Sequence, residues 1–154
     1  MPCPYFSPER ILESETWLVP PRFPLGSAYQ GTCLVVASVP FVPALDHQER
    51  VCNFGYPTTS TAGCERFPSD APADAVRFAW ASQVGSRRKS DLVQIVYILE
   101  KEHTPAEHGV LDYSLKAASF RPNTCTDPVL AQALKFAEQG GRRLRGVALQ
   151  GRNF

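Results

Sequence analysis

Cys3, Cys33, Cys52 and Cys64 are the residues best suited to chemistry in this chain, with 29, 18 and 11 residues between successive members. Each sits among Pro, Gly and aromatic residues. Cys3 lies in PCPYF, Cys33 follows Gly31-Thr32, Cys52 precedes Asn53-Phe54-Gly55, and Cys64 directly follows Gly63. Thiolates are ligands for soft metals. Glycine lets backbone approach a bulky inorganic group, whose sulfur is stabilised by backbone N–H donors. Tyr5, Phe6, Tyr29, Phe54, Tyr56 and Phe67 could supply a dry wall around it. The expectation is one shared metal site ligated by the four thiols.

The spacing bears on which metal. No C-x-x-C pair occurs, whereas zinc modules use short paired spacings and ferredoxin runs are compact. Lone thiols from separate segments suit a cubane, whose irons need separated anchors, so a [4Fe–4S] cluster is favoured and zinc is the alternative. The Cys-Pro step at Cys3 also occurs at the end of bacterial ferredoxin runs. The competing reading is structural. Free cysteine often behaves as a small buried hydrophobe, and Cys33 in TCLVVAS would fit a strand core.

Two further residues could replace a ligand. Cys125 in RPNTCTDP reads as a loop residue before a helix, although a helix N-terminus can activate a thiol. His47 in ALDHQER reads as a surface histidine near the Cys52 segment. His103, Glu107 and His108 flank Pro105 and read as a solvated turn. No G-x-G-x-x-G, G-x-x-x-x-G-K-[ST] or G-x-S-x-G is present, so no catalytic residue is assigned.

The basic runs SRRKS (86–90) and RRLR (142–145) carry no interleaved aromatic residue. A charged turn and a charge-compensated helix end account for them more simply than nucleic acid does. An acidic protein partner is equally compatible. With a net charge of +1 across 154 residues, no global field recruits nucleic acid or anionic lipid. The longest apolar run, 92–99, is too short to span a bilayer. Five cysteines without a basic, then apolar, leader point to a reducing cytoplasmic setting.

These residues need elements to position them. Ten of fourteen prolines fall between Pro2 and Pro68, together with four of five cysteines. Proline lacks a backbone donor, which predicts an irregular half over 1–70 with a strand at 33–38 and a helical turn near 7–15. From residue 73 the pattern has period two: DAVRFAWASQ, DLVQIVYILEKE and GVLDYSLKA read as three strands of an antiparallel meander. Phe78, Trp80, Ile95, Tyr97, Leu111 and Leu134 are the expected core, and 73–140 is expected to supply most of it. TDPVLAQALKFAEQGG reads as a helix capped by Thr126 or Asp127 and stopped at Gly140-Gly141, followed by a basic tail over 141–154.

The fold class expected is therefore α+β in a single domain over 1–154. A sheet of three or four strands carries a C-terminal helix beside an irregular Cys/Pro-rich half. The function expected is cluster binding with a redox or electron-transfer role and a protein partner. A zinc-stapled structural or interaction module is the alternative, and a nucleic-acid-binding accessory role is weaker.

Overall fold

The computed structural model describes residues 1–13, 22–57, 63–81 and 91–150, with side chains through residue 140. The fold is α+β. Two antiparallel strands, β1 (Phe6–Ile11) and β2 (Tyr29–Cys33), form a ribbon. A short helix, α1 (Leu45–His47), continues as a π-helical turn, Gln48–Cys52. Four antiparallel strands follow in sequential order: β3 (Ala75–Trp80), β4 (Leu92–Lys101), β5 (Thr104–Ser114) and β6 (Ser119–Phe120). The chain then enters a long helix, α2 (Asp127–Gln150). Among the described residues, no helix is long and apolar enough to cross a membrane.

The meander follows the period-two pattern. Trp80 pairs with Ile95 and Ile95 with Leu111, so the apolar alternation of three strands falls on one face. The β4–β5 turn is tighter than KEHTPAEHG suggests. Glu102 and His103 make it alone, both with positive φ (49° and 64°), as a two-residue turn matched to strand twist requires. Thr104–Gly109 is therefore strand. Glu107 and His108 are exposed neighbours on it, so their side chains point to opposite faces and make no cluster.

Three local expectations are overturned. Residues 6–11 form β1 rather than a helical turn, and Pro8 sits at a register shift in β1, where a missing N–H costs no ladder bond. The second strand is Tyr29–Cys33, ending where the 33–38 strand was expected to begin; the backbone then turns at Val36–Val39. Finally, α2 runs through Gly140-Gly141 to Gln150. A Cβ on Gly140 would stand 2.6 Å from the Trp80 ring, so this glycine is a packing notch rather than a stop.

The core is shared more evenly than expected. Ile95 and Leu111 are buried, but Phe78, Trp80, Tyr97 and Leu134 are only partly so, because one helix cannot cover a four-stranded face. Phe6, Leu12, Leu25, Tyr29 and Val51 give the N-terminal half a core of its own. Phe136 of α2 joins the two halves. It packs on Phe78 and Trp80 of the sheet, with centroids 5.7 and 5.5 Å away, and against the cluster containing Cys3, Phe6 and Cys52.

Candidate metal centre

The four N-terminal cysteines line one cavity. Its atom-free space is about 430 Å³ including the mouth, and Tyr5, Phe6, Val35, Phe41, Val51 and Phe67 complete most of its apolar wall. All five cysteines of the chain carry free thiols. Cys125 lies elsewhere, in an open groove with Phe120, Leu130 and Leu134, where burial pushes its thiol up to about 11.

Backbone bonds fix three of the four. The Cys3 N–H donates to the Cys52 carbonyl at 2.9 Å, tying the first of the four cysteines to the third. Cys33 ends β2 opposite Phe6 of β1, whose own N–H donates to the Cys3 carbonyl at 3.1 Å. The Cys33 N–H and carbonyl pair with the carbonyl and N–H of Phe41 at 2.7 and 3.1 Å, closing the 34–40 loop over the cavity. Cys52 ends the π-helical turn, a rare geometry that is frequent at functional sites.

Buried amide side chains hold these segments together. Gln48 accepts from the Gly31 N–H at 2.8 Å and donates to the Pro43 carbonyl at 2.6 Å. Asn53 pairs with both backbone groups of Tyr29 at 2.9 Å, as a neighbouring strand would, and also donates to the Gln48 carbonyl. Gln132 of α2 donates to the Cys3 and Phe6 carbonyls at 2.7 and 2.6 Å. Each amide satisfies polar groups that would otherwise be buried at a cost of about 1–3 kcal/mol apiece.

The electrostatics are those of a dry thiol site. Burial pushes the Cys3 thiol up to about 12, and the Cys33 and Cys64 sulfurs act in the same direction. The Tyr5 and Phe6 backbone N–H groups oppose this by stabilising the Cys3 thiolate. Cys52 is raised further, by burial and then by the other three sulfurs. The four groups therefore feel one another. Among the described residues, no three His, Cys, Asp or Glu side chains stand close enough together to hold a single metal ion.

The glycines and aromatics divide differently from expectation. Gly31 serves the ribbon, since a Cβ there would lie 2.0 Å from the Ser7 carbonyl oxygen, and Gly55 similarly abuts the Met1 carbonyl. Tyr5, Phe6 and Phe67 face the cavity. Tyr29 packs in the adjoining core, Phe54 stacks on Phe23, and Tyr56 stacks on His103 and donates to Glu100. His47, expected at the surface, borders the cavity instead, half-buried. Phe41 and Arg66 were missed altogether; Arg66 places its guanidinium carbon 3.9 Å over the Phe41 ring.

No protein-family model matches the chain, and neither a curated protein nor a solved structure is detectably similar to it. The basic run at 86–90 lies outside the described residues, as do the side chains of 142–145.

Proposed function

We propose that this protein binds a cysteine-ligated iron–sulfur cluster, [4Fe–4S] in type, through Cys3, Cys33, Cys52 and Cys64, and that the cluster carries electrons. The observation that supports this is the convergence on one apolar cavity of four free thiols from four separate segments. Among the described residues no three His, Cys, Asp or Glu side chains are grouped to hold a single ion, as a structural zinc would need. A cubane presents an iron to each thiolate at a separate corner and tolerates wider anchors. The Tyr5 N–H, which favours the Cys3 thiolate, would be a donor to cluster-bound sulfur.

The redox role draws support from the wall of the cavity. The 34–45 segment carries no charged residue. Val35, Phe41 and Pro43 face inward, while Val36, Val39, Val42 and Leu45 are exposed on the same segment. A protein partner docking there would come close to the cluster across a thin apolar layer.

The test is anaerobic purification with iron, sulfide and zinc analysis, followed by reductive titration and circular dichroism on loaded and metal-free protein. The expected outcome is a brown protein whose spectrum changes reversibly on one-electron reduction while the fold persists. A colourless zinc protein that loses structure to a chelator would establish the zinc-stapled reading instead.

A further inference from the structure

We infer that the site is built with three fixed ligands and one adjustable one: Cys64, held over the cavity by an Arg66–Phe41 clasp. This rests on the cluster reading above and concerns how that cluster opens. Cys3, Cys33 and Cys52 are each locked by backbone bonds to residues distant in sequence: Cys3 to Cys52, and Cys33 to Phe41. The Cys3 carbonyl is held again by Gln132. Cys64 differs. Among the described residues, its one backbone bond is local, from the Phe67 N–H to its own carbonyl at 3.1 Å.

Two side-chain contacts bring the Cys64 turn to the site. Phe67 meets the Tyr5 ring edge-on at 5.7 Å, and Arg66 caps Phe41, which is itself bonded to Cys33. The clasp therefore joins the Cys64 turn to the Cys33 loop at the cavity. Arg66 is exposed and has no carboxylate partner among the described residues, so its anchor is the ring. The preceding Gly63 has φ +58°, and among the described residues nothing lies within 4 Å of where a Cβ would stand. Arg66 and Phe41 are positioning residues.

The chemical consequence is a cluster with one labile corner. One-electron oxidation of [4Fe–4S]2+ gives [4Fe–4S]3+, and loss of Fe2+ from the Cys64 corner leaves [3Fe–4S]+ on Cys3, Cys33 and Cys52. The released Cys64 thiolate takes up a proton. Ferricyanide, added as the oxidant, accepts the electron and becomes ferrocyanide.

The experiment loads the full chain anaerobically, oxidises it with one equivalent of ferricyanide, and follows iron release and the three-iron electron paramagnetic resonance signal. Arg66→Gln should start with wild-type iron and release it about two- to fivefold faster, as expected for losing an exposed cation–π contact. Arg66→Lys, which can still sit over the ring, should stay near the wild-type rate. Cys64→Ser should retain a three-iron cluster, whereas Cys33→Ser should lose the cluster. Wild-type release rates in Arg66→Gln, or complete cluster loss in Cys64→Ser, would overturn the adjustable corner while leaving cluster binding intact. Wild-type protein without iron and sulfide would instead remove the cluster reading and this inference with it.

Discussion

Gln132 donates its side-chain N–H to the carbonyl of Cys3 across 2.7 Å, so the C-terminal helix holds the first cysteine of the chain in place. The same nitrogen reaches the Phe6 carbonyl, and the residue is fully buried. Gln132→Leu would leave two buried carbonyls without this donor, partly offset by removing an amide oxygen that has no partner of its own among the described residues. The expected loss is about 1–3 kcal/mol in urea unfolding. Iron retention should fall with it, because Cys3 loses its support. Wild-type iron affinity in a destabilised variant would separate the helix from the site.

Serine is a poor ligand for a soft metal. Cys3→Ser, Cys33→Ser, Cys52→Ser and Cys64→Ser should each lower iron content, and Cys125→Ser should leave it unchanged, because Cys125 lies in a different groove. Iron-to-protein ratios after anaerobic reconstitution decide this. Full retention in all four variants would end the shared site.

The raised thiols give the metal-free protein a pH signature. In the folded chain Cys3 keeps its proton to about 12, against an unfolded value of 9.0, and Cys52 is shifted in the same direction. Above pH 9 the unfolded chain therefore holds fewer protons than the folded one, and stability falls as pH rises toward 12. Below pH 9 the contribution is fully present. Urea midpoints of metal-free protein between pH 8 and roughly 11 should decline, and Cys3→Ala should flatten the decline. Metal binding runs the other way, because deprotonated ligands are required and higher pH favours loading.

Gly140 offers a test of packing against propensity. Alanine would gain about 1 kcal/mol in a helix interior, but its Cβ would stand 2.6 Å from the Trp80 ring. Overpacking costs about 1–3 kcal/mol, so Gly140→Ala should be neutral to destabilising by up to ~2 kcal/mol. A stabilised variant in equilibrium unfolding would show that Trp80 moves aside freely.

Local patterning determined the parts of this protein that local physics controls. Alternating side chains marked β3, β4 and β5, because a half-buried strand must alternate. Thr126, Asp127 and Pro128 marked the start of α2, because the first helical turn needs a cap and can spare an N–H. The setting of the four cysteines singled them out as a group. Tertiary structure alone decided that they line one cavity, because the bonds that gather them join residues far apart. Gln48, Asn53 and Gln132 are ordinary polar residues in the sequence, and only the fold shows which distant carbonyl or N–H each amide meets. Gly140 carries the same local signal whether it ends a helix or admits a tryptophan, and the Trp80 ring settles which. Phe41 and Arg66 lie 25 positions apart, and no periodicity relates them; their contact exists because the fold brings the Cys33 and Cys64 segments to the same cavity.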